Sequence, residues 1–399
     1  MSAPDADTTD TKEIPDATVL FAGDSGDGMQ ITGSQFTLAS AYAHNDLATL
    51  PDYPAEIRAP AGTTFGVSAF QLHFGAQEVR TPGEKVDLLV AMNAAALKVH
   101  LHRVRPGGTI IANVDAFEEK DLKKADLDAN PLTDGTLDDY QVQEVPLTEI
   151  TREELSDTDL SVQEVDRSKN MFALGLALWM YDRPVDPAQE WIREKFDDTP
   201  EIRDANLRVL KKGYHYGETV EAFAVQYEVS EAAMQPGTYR AVRGAEALAL
   251  GLVAASVKSD LRLFYGSYPI TPASDILHEL SEHKNFGVIT FQAEDEIAAA
   301  TSALGASFGG DLGVCATSGP GVALKTETIG LGVMTELPLV VINMQRGGPS
   351  TGLPTKPEQG DLLQAVYGRN GEAPLPVLAA TSPGDCFHTA YEACRIAAK

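Results

Sequence analysis

Short apolar segments alternate with helical patterns along most of the chain. In the first half, residues 18–22, 65–74 and 86–92 are apolar runs of strand length, and residues 29–43 have helical spacing. Such alternation indicates α/β units with a parallel sheet. We therefore expect residues 17–213 to form an α/β domain.

A change in character precedes a second α/β domain. Residues 214–240 mix aromatic, polar, glycine and proline residues, which is typical of an inter-domain linker. A new helical pattern starts near Arg243, so we expect residues 241–399 to form the second domain. Residues 1–16 are rich in Asp and Thr, and we expect them to be a disordered tail.

Three polar turns of the second domain each follow an apolar run of strand length. They are residues 268–272 (YPITP), 294–296 (EDE) and 346–352 (RGGPSTG). In a parallel α/β sheet, ligands bind just beyond the carboxyl ends of the strands. We therefore expect the three turns to converge on one site.

The third turn, residues 346–352, gives the most specific indication of a ligand. Arg346 offers a planar fork of donors that suits a carboxylate, and the glycines beside it let the backbone approach a ligand. This combination predicts a contact with an anionic small molecule. On spacing alone, a plain strand–helix loop is the favoured interpretation for Thr271. Acidic residues at the start of a helix also complement the helix dipole, which explains one or two residues of the acidic triplet without a catalytic role. The glycine-rich turn at 317–321 is either a tight turn or a neighbour of a diphosphate.

The glycine turn at residues 23–28 allows two interpretations. A strand, glycine turn and helix can bind a phosphate, but the spacing differs from the dinucleotide fingerprint and two aspartates would repel a phosphate. A tight turn is the simpler interpretation. The sequence Gly-Asp-Gly within it also resembles the metal–diphosphate motif of thiamine diphosphate enzymes, but Asn45 lies too close to complete that motif. In the next polar loop, Arg58 is interpreted as structural or as an interface residue.

Composition narrows the class of protein. The net charge is −27 and the pI about 4.6, which argues against nucleic acid as a partner. The charge indicates a solvated surface, and adaptation to high salt is a more specific interpretation. Three cysteines without a C-x-x-C pair cannot ligate a four-cysteine iron–sulfur cluster. The polar N-terminus and the absence of an 18-residue apolar run predict a cytoplasmic protein that does not bind membranes.

Taken together, the motifs resemble the α subunit of 2-oxoacid:ferredoxin oxidoreductases, in the form that has a γ domain fused ahead of the α domain. The resemblance identifies an N-terminal γ-type catalytic domain and a C-terminal pyrimidine-binding domain of thiamine diphosphate enzymes. The stretches that carry it are residues 23–28 and 54–58 for the γ domain and residues 268–272, 294–299, 317–321 and 346–352 for the α domain.

The resemblance implies CoA-dependent oxidative decarboxylation of a 2-oxoacid to acyl-CoA and CO2, with reduction of ferredoxin. The implied cofactor is thiamine diphosphate with Mg2+. Glu296 would hydrogen-bond N1′ of the aminopyrimidine and promote formation of the ylid, with Glu294 as the alternative. Thr271 would contact the substrate near its reacting carbon, and Arg346, helped by Thr355, would pair with its carboxylate. The remaining implied contacts are Ser350 and Thr351 for the substrate and Tyr268, Ser318 and Gly319 for the cofactor.

Two motifs of the family are absent from this chain: the metal–diphosphate motif and the cluster cysteines. The resemblance places both in a separate β subunit, which would hold the [4Fe-4S] cluster. We expect an α2β2 assembly that docks ferredoxin, and we assign no metal ligand to this chain. Family α subunits of the fused form are longer, so we expect this chain to lack the final strand of the pyrimidine domain and the domain that follows.

The substrate is interpreted as 2-oxoglutarate. The fused form and residues 46–51 and 55–62 are most similar to the 2-oxoglutarate type. A second substrate carboxylate would need another cation, for which Lys356 or the β subunit is a candidate. Pyruvate is the alternative substrate. A non-catalytic α/β scaffold that docks an electron-transfer partner is the alternative of another class.

Overall fold

The computed structural model describes residues 10–54, 59–219 and 225–399. It divides into two compact units, residues 1–238 and 239–399. Both are α/β, as the sequence predicts.

The N-terminal unit alternates strands and helices along most of its length. Its described strands are β1 (Asp10–Ile14), β2 (Asp16–Asp24), β3 (Asp46–Asp52), β4 (Val67–Gly75), β5 (Val86–Ala91), β6 (Val104–Asn113), β7 (Gln141–Val145) and β8 (Val225–Val229). Its helices are α1 (Met29–Tyr42), α2 (Ala94–His100), α3 (Glu119–Lys124), α4 (Leu147–Glu154), α5 (Val162–Arg167), α6 (Lys169–Met180), α7 (Asp186–Lys195) and α8 (Pro200–Thr219).

The main sheet of this unit is mixed, with strand order β3-β4-β2-β5-β6-β7. Strands β2, β5, β6 and β7 are parallel, as expected, whereas β4 runs antiparallel to both β2 and β3. The expectation of a parallel sheet therefore holds for these four strands and does not hold for β4. Parallel neighbours need a crossover, usually a helix, and the described part of the β3–β4 connection contains only a short 3-10 turn.

The ends of this unit differ from the sequence expectation. Residues 10–14, expected in a disordered tail, form β1 and pair in parallel with β8, which lies within the expected linker. The start of that linker, residues 214–219, instead continues α8. The reason is a pairing between segments more than 200 residues apart, which local composition does not reveal.

The core of the N-terminal unit lies on both faces of its sheet. Phe36 of α1 contacts Phe21 and Phe74 edge to face, with ring centroids 5.6 Å apart in each pair. Helix α6 is buried along nearly its whole length, and α8 packs against it. This close packing of side chains from α1, α6 and α8 holds the sheet in place.

The C-terminal unit has one parallel sheet. Its strands are β9 (Leu263–Ser267), β10 (Ile289–Gln292), β11 (Leu312–Thr317) and β12 (Leu339–Asn343), in the order β10-β9-β11-β12. Its helices are α9 (Gly244–Ser259), α10 (Ser274–Ser281), α11 (Glu296–Phe308), α12 (Pro320–Leu324), α13 (Thr326–Thr335), α14 (Leu362–Tyr367) and α15 (Pro383–Ala397).

Helix α11 packs directly on the middle of this sheet. A Cβ atom on Gly266 of β9 would lie 2.4 Å from the carbonyl oxygen of Ala299, and one on Gly313 of β11 would lie 2.2 Å from that of Ala303. Glycine at these two strand positions therefore permits the close approach of the helix. The contact fixes the start of α11 near the carboxyl ends of β9 and β11.

Candidate functional site

The three motif turns lie at one edge of the C-terminal sheet. All pairs in this sheet are parallel, so the loops that follow β9, β10, β11 and β12 leave from the same edge. The chain order reverses between β9 and β11, which is the topological switch point at which open α/β sheets bind ligands. The convergence that the sequence predicts is therefore present in the structure.

Tyr268 and Thr317 join the ends of β9 and β11 at this switch point. The Tyr268 hydroxyl lies 2.8 Å from Oγ1 of Thr317, and both residues are buried. Burial raises the pKa of Tyr268 well above its ordinary value, and the nearby carboxylate of Glu296 raises it further, against the opposing effect of the Thr317 bond. The phenol therefore stays protonated at neutral pH, and its hydroxyl group can donate a hydrogen bond.

Gly321 packs against three side chains of this cluster. A Cβ atom at this position would lie 1.9 Å from Oγ1 of Thr317, 2.4 Å from the hydroxyl of Tyr268 and 3.1 Å from Cγ of Glu296. Only glycine leaves these side chains in their present positions. The backbone of the 317–321 turn thus brings the hydroxyl pair and the carboxylate together.

The acidic triplet divides into three roles. Asp295 is the N-cap of α11, and its Oδ1 accepts a hydrogen bond from the backbone N–H of Ala298 at 2.8 Å. Glu296 is the first helical residue and is half-buried, whereas Glu294 is exposed before the helix. The structure therefore places Glu296, rather than Glu294, beside Tyr268.

Lys325 is a member of this cluster that sequence reasoning missed. It lies between α12 and α13, is fully buried, and its ammonium donates a hydrogen bond to the backbone carbonyl oxygen of Glu296 at 2.7 Å. The same ammonium lies 4.7 Å from the centre of the Tyr268 ring. Its sequence position gave no signal, because a single lysine within a helical pattern is normally exposed.

Arg346 connects the loops that follow β9 and β12. It is 9% exposed, and its two terminal nitrogens donate to the backbone carbonyl oxygens of Thr271 at 2.7 Å and Thr351 at 2.8 Å. Its buried Nε has no hydrogen-bond partner. A guanidinium has five N–H donors, so Arg346 can hold the loops and still donate to a ligand.

The loop that follows β12 is anchored from both sides. Asn343 and Gln345 donate to the two carboxylate oxygens of Asp361, each at 2.6 Å. Of the predicted substrate contacts on this loop, Ser350 and Thr351 are exposed, and Thr355 is half-buried. All three residues belong to the loop that Arg346 holds through the carbonyl oxygen of Thr351.

Ser318 and Gly319 have different surroundings. The Ser318 hydroxyl is fully buried and donates to the carbonyl oxygen of Met344 at 2.6 Å, so it ties β11 to β12. Gly319 lies against Arg346, since a Cβ atom there would lie 3.5 Å from Cγ of Arg346. Ser318 therefore holds the turn in place, and Gly319 presents backbone at the site.

The glycine turn of the N-terminal unit is closed by its own aspartates. Both carboxylate oxygens of Asp24 accept from the backbone N–H of Gly62 at 2.9 Å, and Asp27 pairs with Lys169 at 2.9 Å. These contacts favour the interpretation of a tight turn over that of a phosphate site. Burial raises the pKa of Asp24. Arg58 lies outside the described residues.

The described residues contain neither a metal site nor a membrane span. Among them, no group of three or more His, Cys, Asp or Glu side chains is placed to hold a metal ion. In the same part of the chain, every helix is too short or too polar to cross a membrane.

Comparison with known proteins identifies the family. Residues 18–216 match the model of pyruvate ferredoxin/flavodoxin oxidoreductase, and residues 256–399 match the thiamine-diphosphate-binding model of the same family. The chain is also 56% identical, over 388 residues, to the 2-oxoglutarate oxidoreductase subunit KorA of Mycobacterium tuberculosis. The chain belongs to the 2-oxoacid:ferredoxin oxidoreductase family. The resemblance stated from the motifs is thus confirmed, and the C-terminal unit is a thiamine-diphosphate-binding domain.

Two further relatives agree with this assignment. The 2-oxoglutarate synthase subunit KorA of Archaeoglobus fulgidus is 43% identical over 157 residues, 39% of this chain and 44% of that one. A solved structure of the 2-oxoglutarate:ferredoxin oxidoreductase of Magnetococcus marinus, with 2-oxoglutarate, coenzyme A and succinyl-CoA bound, is 29% identical with a TM-score of 0.79.

The chain spans only part of these relatives. The match covers 97% of this chain but 59% of the Mycobacterium tuberculosis protein. The structural match covers 96% of this chain and 62% of the Magnetococcus marinus chain.

Proposed function

We propose that this chain is the α-subunit portion of an enzyme that oxidatively decarboxylates 2-oxoglutarate, in the presence of CoA, to succinyl-CoA and CO2, and passes the electrons to ferredoxin. The observation that carries the proposal is the placement of Glu296, Tyr268 and Arg346 at one sheet edge, within a thiamine-diphosphate-binding domain. The names of the relatives support 2-oxoglutarate as the substrate.

The residues at this edge suit the pyrimidine end of thiamine diphosphate. Glu296 has a half-buried carboxyl group beside a buried tyrosine hydroxyl, and a carboxyl group in such a place can share a proton with an aminopyrimidine nitrogen. We assign this chain the pyrimidine end of the cofactor, with Tyr268, Ser318 and Gly319 beside it. The family resemblance assigns Mg2+ and the [4Fe-4S] cluster to a β subunit.

This chain's own residues would orient the reactants. Bound thiamine diphosphate supplies the electron sink for decarboxylation. Glu296 holds and shares a proton at the pyrimidine nitrogen N1′. Arg346 donates to the 2-oxoacid carboxylate through donors not used on the two loops, and Thr271 contacts the substrate near its reacting carbon. Such orientation lowers the entropic part of the barrier.

The loop that follows β12 completes the substrate contacts. On the loop that Arg346 holds through the carbonyl oxygen of Thr351, the hydroxyl groups of Thr355, Ser350 and Thr351 are proposed to hydrogen-bond the same carboxylate. The second carboxylate of 2-oxoglutarate needs a further cation, which Lys356 or the β subunit provides. Pyruvate lacks that carboxylate, so a comparison of the two substrates tests this part of the proposal.

An exposed apolar face supports the need for a partner. Phe308 of α11 is 84% exposed and Met334 of the adjacent α13 is 82% exposed, with Ile297 and Leu331 also exposed on the same two helices. Exposed apolar patches mark interaction surfaces. We propose that this face binds the β subunit in an α2β2 complex that docks ferredoxin in the cytoplasm, with the net charge of −27 as an adaptation to high salt.

The test is CoA-dependent reduction of ferredoxin or a viologen dye by the full-length subunit co-purified with its β subunit in high salt. We expect activity with 2-oxoglutarate, its loss in Glu296→Gln, and near-normal activity in the neighbouring control Glu294→Gln. Activity with pyruvate alone would overturn the substrate assignment. If no thiamine-dependent activity is found with any 2-oxoacid, the enzyme proposal is wrong and the alternative of a non-catalytic docking scaffold takes its place.

A further inference from the structure

Lys325 carries a buried charge that packing does not require. Its side chain is fully buried between α12 and α13, where an apolar side chain of similar length would fill the same space. Burying an ammonium group is expensive unless it is paired. Lysine at this position therefore calls for a reason other than core packing.

The ammonium group has two specific contacts. It donates to the backbone carbonyl oxygen of Glu296 at 2.7 Å, and it lies 4.7 Å from the centre of the Tyr268 ring. The second contact is within the range of a cation–π interaction, which is strongest when it is desolvated. Lys325 thus contacts the two residues that approach each other around Gly321.

The electrostatic surroundings of Lys325 are mixed. Burial lowers its pKa, while the thiol of Cys315 on β11 and the carboxylates of Glu296 and Asp295 at the start of α11 oppose that effect. The phenol of Tyr268 faces it from the loop that follows β9. The positive charge therefore lies closest to the side chains that border the proposed cofactor site.

We propose that Lys325 is a positioning residue of the cofactor site, which holds the first residue of α11 and the ring of Tyr268 so that the Glu296 carboxylate keeps a fixed place beside a buried positive charge. The proposal rests on the proposed function, because Glu296 acts on the cofactor only there. It adds a residue that touches neither cofactor nor substrate and acts through Glu296 and Tyr268.

The experiment compares Lys325→Met, which keeps the length and loses charge and donor, with Lys325→Gln, which keeps a donor and loses the charge. Lys258→Met, on the exposed end of α9, is the matched control. For each full complex with the β subunit we would measure thermal unfolding, the dissociation constant of thiamine diphosphate in the presence of Mg2+, and the pH profile of kcat/KM.

We expect Lys325→Met to weaken thiamine diphosphate binding about tenfold, since it loses a hydrogen bond from a charged donor. Lys325→Gln should lie between Lys325→Met and the parent. The acid side of the pH profile should shift in both variants, while their melting temperatures stay close to that of the parent. Lys258→Met should change none of these quantities.

The outcomes are separable. A Lys325→Met complex that binds thiamine diphosphate within twofold of the parent, with the same pH profile, overturns the positioning role. If Lys325→Met does not fold, Lys325→Gln decides by the same measurements, and aggregation of both would show that the lysine serves folding alone and overturn the proposal. A parent complex that does not bind thiamine diphosphate would instead overturn the proposed function.

Discussion

The guanidinium of Arg346 donates a hydrogen bond to the backbone carbonyl oxygen of Thr271 at 2.7 Å, which joins two loops 75 residues apart in the chain. The same side chain reaches Thr351 on its own loop. One buried cation therefore sets the spacing between the two loops proposed to hold the substrate.

Replacing Arg346 by lysine should break this connection. A lysine ammonium has no planar fork, so it cannot bond both carbonyl groups and the substrate carboxylate together. We expect kcat/KM for 2-oxoglutarate to fall about 10- to 100-fold, mostly through KM.

The matched control for that variant is Arg262→Lys. Arg262 pairs with Asp311 on the surface of the same unit, and exposed pairs contribute little. Steady-state kinetics of both variants check the prediction. Equal KM values for Arg346→Lys and the parent would contradict it.

Gly321→Ala should damage the site without unfolding the unit. Its Cβ would lie 1.9 Å from Oγ1 of Thr317, so the Tyr268–Thr317 pair must separate. We expect thiamine-dependent activity to fall at least about 100-fold, because small misplacements of catalytic groups are costly.

The control for this variant is Gly330→Ala in α13, where a Cβ would meet no atom within 4 Å. That change should stabilise the helix by about 0.5–1 kcal/mol and leave activity unchanged. Activity assays and thermal unfolding of both variants provide the measurement. Normal activity in Gly321→Ala would show that the hydroxyl pair is dispensable.

The N-cap of α11 should matter for the cofactor as well as for stability. Asp295→Ala removes the bond to Ala298 and should lower the free energy of unfolding by about 1 kcal/mol. Since Glu296 is the next residue, we also expect weaker binding of thiamine diphosphate.

Ser382→Ala removes the equivalent cap of α15, where Ser382 accepts from the N–H of Asp385 at 3.1 Å. It should lower stability by a similar amount, about 1 kcal/mol, without an effect on the cofactor. Denaturant unfolding and cofactor titration distinguish the two effects. An identical thiamine diphosphate affinity in both variants would argue against coupling between the cap and Glu296.

Lys325 should make stability depend on pH in the alkaline range. Burial lowers its pKa below the ordinary lysine value of 10.5, so the folded chain releases this proton before the unfolded chain does. Between the lowered pKa and 10.5 the unfolded state binds more protons, and stability rises with pH. Below the lowered pKa, both states are protonated and the penalty for burying the charge is constant.

Urea unfolding of the parent and of Lys325→Met across this range checks the sign. Relative to Lys325→Met, the parent should gain stability as the pH rises through that interval. A constant difference between the two proteins would mean that the pKa of Lys325 is not lowered.

The exposed face of α11 and α13 should bind the β subunit. Phe308→Asp places a charge at the most exposed apolar side chain of this face and should reduce co-purification of the β subunit strongly, with no loss of folding in the chain itself. Val257→Asp, at a 61% exposed position on α9, is the control. Quantitative pull-down at matched salt measures the difference, and equal recovery of the β subunit in both variants would exclude this face.

The sequence by itself determined the family, the α/β class and the edge of the sheet that carries the site. The motif turns follow apolar strands, and parallel strands end at one edge, so local pattern was enough to bring Tyr268, Glu296 and Arg346 into one neighbourhood. The resemblance favoured Glu296 and kept Glu294 as the alternative, and the structure places Glu296 beside Tyr268.

Only the tertiary structure decided the features that depend on contacts between distant segments. The pairing of β1 with β8 and the antiparallel β4 arise from long-range hydrogen bonds that no local composition records. Lys325 belongs to the candidate site because its ammonium group donates a hydrogen bond to the first residue of α11, 29 positions earlier in the chain. From the sequence, a lysine in a helical pattern is expected to be exposed. Only the tertiary structure shows that the charge of Lys325 is buried beside Glu296.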